Sequence, residues 1–90
     1  MDKSTVLRII SDYGKALEAE GVGPQKTILF GSYSTGTQEG SDIDLVVMSE
    51  DFAGKDYWER IDVLASAIAV VWQPIEAIAM TPQEGRAAIP

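Results

Sequence analysis

The residues of this chain best equipped for chemistry are Gly31-Ser32 and, after nine intervening residues, Asp42-Ile43-Asp44. Two residues apart on an extended strand, Asp42 and Asp44 project from the same face with their Cα atoms about 6 to 7 Å apart. That is near enough for both carboxylates to hold one pair of hard divalent cations. Glu76, in the run Pro74-Ile75-Glu76-Ala77-Ile78-Ala79-Met80, adds a third carboxylate to that face if its strand lies beside the first. Three crowded carboxylates repel strongly unless cations neutralise them, so a divalent-metal site is the economical account. Gly31-Ser32 stands where a strand gives way to a turn, a place where backbone amides can cradle phosphate oxygens. Glycine admits close approach there, and the Ser32 hydroxyl adds a donor. Amides for a triphosphate and carboxylates for its magnesium ions are the equipment of two-metal phosphoryl or nucleotidyl transfer.

Composition narrows the alternatives. The chain has no Cys and no His, which removes thiol catalysis, disulfide scaffolds, zinc ribbons, Ser-His-Asp triads and imidazole ligands. Fourteen acidic against seven basic residues give a net charge of −7. Nonspecific nucleic-acid binding rests on Lys and Arg neutralising phosphates, so no direct nucleic-acid partner is expected. Ninety residues, 46% of them apolar, suit a single small domain over residues 1–90. No secretory signal is expected from the patterned, charged opening segment, and the longest mostly apolar run, Val63 to Trp72 with Ser66 inside it, is far short of the roughly 20 residues that cross a bilayer. A soluble cytoplasmic protein is expected.

The elements that must position these residues follow from periodicity. Val6, Ile9, Ile10, Tyr13 and Leu17 recur at helical spacing from about Ser4 to Glu20, and Gly21 and Gly23 supply the stop. Lys26 to Phe30 is a short β-branched and aromatic run bounded by glycines, hence a strand. Gly31 to Gly40 is a polar loop. Asp42 to Met48 is the clearest strand, with Ile43, Leu45 and Val47 on the face opposite the two aspartates. Asp56-Tyr57-Trp58-Glu59 has the form of a capping box and starts a helix running to about Val71. Trp58, Ile61, Leu64, Ala65, Ile68 and Trp72 are its expected inward face. Val63, Ala67 and Val70 widen the apolar coverage, so the second half is either deeply packed or part of an interface. Pro74 to Met80 reads as a third strand, and Thr81-Pro82-Gln83-Glu84 as a helix start. Six residues follow, which leaves a short docking turn or a chain that stops ahead of its fold. The fold class is α/β (α+β): a small mixed three-stranded sheet with helices packed on it. Eleven residues between the first two strands favour an antiparallel pair, and the helix between the second and third favours a parallel one.

Gly-Ser, a spacer of about ten residues and Asp-x-Asp on a strand resemble the DNA polymerase beta-like nucleotidyltransferase superfamily, specifically its minimal members of the MNT/HEPN antitoxin type. Ser41-Asp42-Ile43-Asp44-Leu45-Val46-Val47 matches the habitual wording of that superfamily, and Pro74-Ile75-Glu76 looks like its third-carboxylate strand. The resemblance implies that Asp42, Asp44 and Glu76 are catalytic and ligate two magnesium ions. It implies that Gly31 and Ser32 hold the β and γ phosphates of a nucleoside triphosphate, ATP by preference, and that AMP passes to a hydroxyl on a protein or small molecule. Small members are often encoded beside a helical HEPN-domain partner, and some act on it as antitoxins. The chain departs from the pattern at two places: Tyr33-Ser34-Thr35 occupies the turn where many members carry Arg, and Glu76 stands where Asp is usual. Acceptor recognition would come from a partner or a homodimer. The alternative is a catalytically weak or inactive module of the same fold that binds a helical partner.

Overall fold

The computed structural model describes residues 3–30 and 43–88. Helix α1 (Lys3–Ala19) turns Val6, Ile9, Tyr13, Ala16 and Leu17 inward, as their spacing predicts. It ends in a Schellman motif: the Gly21 N–H donates to the Glu18 carbonyl and the Val22 N–H to the Leu17 carbonyl, both at 3.0 Å. Gly21 takes φ 88°, a left-handed conformation that glycine adopts without a Cβ penalty. Leu17 and Val22, joined by that closure, are both buried.

Strands β1 (Lys26–Phe30), β2 (Ile43–Met48) and β3 (Ile75–Met80) form one sheet in the order β1-β2-β3. The first pair is antiparallel and the second parallel, as the connection lengths require. Helix α2 (Tyr57–Val71) makes the parallel crossover. Ile43, Leu45, Val47 and Ile75 point to one face and join Tyr13, Leu17, Leu64 and Ala67 in the core, so α1 and α2 cover that face. On the opposite face lie Asp44, Val46 and Met48 of β2 and Glu76, Ile78 and Met80 of β3. Helix α3 (Pro82–Ala88) rests on one end of this second face: a Cβ on Gly85 would come within 2.5 Å of the Met48 methyl carbon.

Between β2 and α2 lies a device absent from the sequence expectations. Ser49 is buried; its Oγ donates to the Gly23 carbonyl (2.8 Å) and accepts from the Asp51 N–H (3.1 Å). Asp51 in turn accepts the Gly23 N–H at 2.9 Å. These bonds pin the segment before β1 to the end of β2 and start a 3-10 turn, Glu50–Phe52, that places Phe52 in the core.

Both helix starts read from the sequence are present. Asp56 accepts the Glu59 N–H (2.9 Å) while Glu59 accepts the Asp56 N–H (3.0 Å). Thr81 and Glu84 repeat the arrangement at 3.1 and 2.9 Å. Glu84 also takes both guanidinium nitrogens of Arg60, at 2.7 and 3.2 Å, tying α2 to α3. Arg60 is itself held by the Lys55 carbonyl (3.0 Å) and lies 5.8 Å from the centre of the Phe52 ring. Arg60's hydrogen bonds first, and the Thr81 N–H second, hold the Glu84 carboxyl down at about 2.

One expectation is corrected. Of the six residues assigned to the inward face of α2, Leu64 is buried and Ile61 and Ile68 are half-buried, but Ala65 is exposed and Trp58 and Trp72 remain 71% and 86% exposed. The inward stripe instead runs through Leu64, Ala67 and Val71, roughly a quarter of a turn away at 100° per residue. Apolar residues surround most of α2, so periodicity alone leaves its rotation open. The Tyr13 hydroxyl, which donates to the Leu64 carbonyl at 3.2 Å, and the Arg60–Glu84 pair settle it.

Candidate functional site

Asp44 is the second residue of β2, and because Ile43 and Leu45 enter the core its carboxylate belongs to the opposite face. The parallel register places Glu76 of β3 directly beside it. Adjacent strands lie about 4.8 Å apart, so the two carboxylates spring from neighbouring backbone positions on one face. That register follows from matching of the core side of the pair: Ile43 meets Ile75, Leu45 meets Ala77 and Val47 meets Ala79. On the other flank Phe30 of β1 pairs with Asp44. Phe30, Asp44 and Glu76 thus form a row across the sheet, half-buried at Asp44 and exposed at Glu76.

The next row is apolar, made of Ile28, Val46 and Ile78. Lys26 comes only in the third row, beside Met48, and is the sole basic residue of the paired positions on this face. The acidic pair therefore sits at one end of an apolar surface, two rows from Lys26. Two hard oxygen donors in adjacent register suit magnesium or a similar divalent cation. Among the described residues no group of three acidic side chains gathers closely enough to form a metal site by itself. Gly31, Ser32 and Asp42 lie outside the described residues; Asp44 and Glu76 are the two expected site residues that the structure places, and it brings them together.

A groove of about 450 Å³ runs between α2, β3 and α3, bordered by Tyr57, Arg60, Ile61, Leu64, Ile78 and Glu84. Neither Asp44 nor Glu76 lines it, so it is separate from the acidic pair. The sequence expectations gave no role to Phe30 as a neighbour of Asp44. Its strand was legible, but the register of an antiparallel pair joined by a long loop is not fixed by loop length. No described helix is long and apolar enough to cross a membrane.

No curated protein matches the chain closely enough to carry an argument. A family model described as a nucleotidyltransferase domain matches residues 8–85, from within α1 to within α3 and across all three strands.

Proposed function

The chain belongs to the nucleotidyltransferase domain family, and from that premise we propose a magnesium-dependent enzyme that moves AMP from ATP to a hydroxyl on a protein partner or small molecule. Its small α+β fold, a mixed three-stranded sheet with three helices, is that of a nucleotidyltransferase. The observation that supports the finer reading is the register pairing of Asp44 with Glu76 on the face not covered by α1 and α2.

In this reading Asp42, Asp44 and Glu76 hold two magnesium ions, which when bound neutralise and orient the triphosphate. The Gly31 amide and the Ser32 amide and hydroxyl hold the β and γ phosphates. Glu76, exposed at the edge strand, accepts the proton of the acceptor hydroxyl as its oxygen attacks the α-phosphorus. A new oxygen–phosphorus bond forms, the bond to pyrophosphate breaks, and the proton rests on the Glu76 carboxylate. The acceptor is presented by a helical HEPN-domain protein, for which this chain acts as antitoxin, or by a second copy of the chain. A single cytoplasmic domain accommodates this chemistry.

A second reading, a binding module without catalysis, is favoured by the exposure of Tyr57, Trp58 and Trp72, which suits a protein partner. Calorimetric titration of ATP into the folded protein, with magnesium and again with EDTA, separates the two. Heat that needs magnesium and disappears in Asp42→Asn is the expected result. Absence of heat in both buffers would hand the assignment to the binding module.

A further inference from the structure

Strand β3 ends the sheet on one side and has no neighbour beyond it among the described strands. Its ladder with β2 shows which of its backbone groups are used: the Ile43 N–H donates to the Pro74 carbonyl and the Ser49 N–H to the Met80 carbonyl. In a parallel pair alternate residues bond to the same neighbour. Glu76, Ile78 and Met80 therefore turn their amides and carbonyls to β2, while Ile75, Ala77 and Ala79 turn theirs outward. The Ile75 N–H is taken by the Gln73 carbonyl at 2.8 Å. Ala77 and Ala79 each present an N–H and a carbonyl on the outer edge.

The groove between α2, β3 and α3 runs along that edge, with Ala77 and Ala79 on its β3 side and Tyr57, Ile61 and Leu64 on its α2 side. Outward ladder groups are satisfied by a further extended strand, which fixes the shape of what covers them. The apolar wall of α2 would take alternate side chains of such a strand, and the other set would project on the open face, in the rows of Glu76, Ile78 and Met80.

Resting on the nucleotidyl-transfer reading above, we propose that the acceptor is an extended polypeptide segment that adds to the outer edge of β3 and carries the receiving hydroxyl, on Ser, Thr or Tyr, in the row of Asp44 and Glu76. Adjacent strands stand about 4.8 Å apart, so that side chain springs from the backbone position next to Glu76, on the side away from Asp44. Its oxygen attacks the α-phosphorus of ATP, its proton passes to the Glu76 carboxylate, and pyrophosphate leaves. Phe30 flanks Asp44 at the other side of the row, which leaves the β3 edge as the open approach.

The walls of the groove favour a lone segment over a folded body. A second copy paired through its own β3 would bring its α2 and α3 against those that border the edge here. Arg60 and Glu84, joined at 2.7 Å, tie α2 to α3 beside Thr81 and limit pairing to a short stretch. Lys55, half-buried on the same rim, makes no ion pair among the described residues and suits a carboxylate flanking the segment.

The probe is a capped peptide that alternates threonine with valine, with tyrosine in place of the central threonine and aspartate at each end. Without ATP or magnesium, saturating peptide should slow hydrogen exchange at the Ala77 and Ala79 amides by about 10-fold or more, and should leave the Ile78 amide, turned to β2, unchanged. Methylating the peptide nitrogens of one alternate set of residues should abolish binding, and methylating the other set should not. Ala79→Pro, which removes an outward N–H and no ladder bond, should keep the circular dichroism of the fold and weaken peptide binding about 10-fold. With ATP and magnesium added, mass spectrometry should find AMP on the central tyrosine. No binding overturns the proposal, as does binding indifferent to both methylation patterns. So do Ala77 and Ala79 amides already protected without peptide: protection that grows with protein concentration gives the edge to a second copy, and protection that does not gives it to another segment of the chain. A peptide bound but never labelled by a protein that takes up ATP with magnesium overturns the acceptor role. If ATP is not taken up, the failure belongs to nucleotidyl transfer and strand addition stands.

Discussion

Replacing Asp44 by Asn removes one charge from the acidic pair while keeping the shape of the side chain. Asp44 is half-buried and Glu76 exposed, so their repulsion is screened almost as in water. Two unit charges about 5 Å apart in that medium repel by about 0.8 kcal/mol. For a domain of this size, that corresponds to a rise in Tm of about 3–6 °C. Thermal unfolding followed by circular dichroism, at low ionic strength without metal, should show Asp44→Asn melting above the wild type by this margin. In 1 M salt the Debye length falls to about 3 Å and the difference should vanish. Magnesium should raise the wild-type Tm, because a ligand bound only to the folded state stabilises it, and should leave the variant unmoved. A variant less stable than wild type without metal, or one that keeps the wild-type magnesium response, would refute the clustered acidic site.

Two further outcomes test the framework that holds the site. Glu84→Gln keeps the Thr81 cap but loses the ion pair with Arg60. Because the folded-state value of Glu84 is depressed from 4.5 to about 2, its stabilisation is complete above the unfolded value and is lost as pH falls across that interval. The wild type should exceed the variant at neutral pH and converge on it between about pH 4.5 and 2 in acid-unfolding curves; a gap that stays constant would count against the pair in solution. Tyr13→Phe removes the buried hydroxyl that donates to the Leu64 carbonyl and should lower stability by about 1 kcal/mol in denaturant titrations. No change there would mean that the hydroxyl does not help fix the rotation of α2.

Much of the framework was legible because period and punctuation agree. The alternation of Ile43, Leu45 and Val47 fixes β2, and the Gly21 closure ends α1 where the helical spacing stops. The reciprocal caps at Asp56–Glu59 and Thr81–Glu84 mark two helix starts from local chemistry alone. The pairing of Glu76 with Asp44 was legible only conditionally, since it depends on β3 lying beside β2. The rotation of α2 was not legible: Val63, Leu64, Ala67, Ile68 and Val71 offer overlapping apolar faces, and the choice among them rests on Tyr13 and Glu84, distant in sequence. The Ser49–Asp51 latch likewise joins residues to Gly23 across more than twenty positions, beyond the reach of any local pattern.

The in-register pairing of β2 and β3 makes the acidic site a reporter of folding. A slip of one residue would turn Glu76 toward the core and strand its charge among apolar side chains, while a slip of two would set Pro74 or Ile78 beside Asp44. The same contacts that exclude water from the core thus decide whether the two carboxylates meet. Misregistered molecules would not act as weakened copies of the site; they would lack it. The active fraction of a preparation should then track the fraction with native strand pairing, so loss of function on mild destabilisation would be all-or-none in each molecule and graded only across the population.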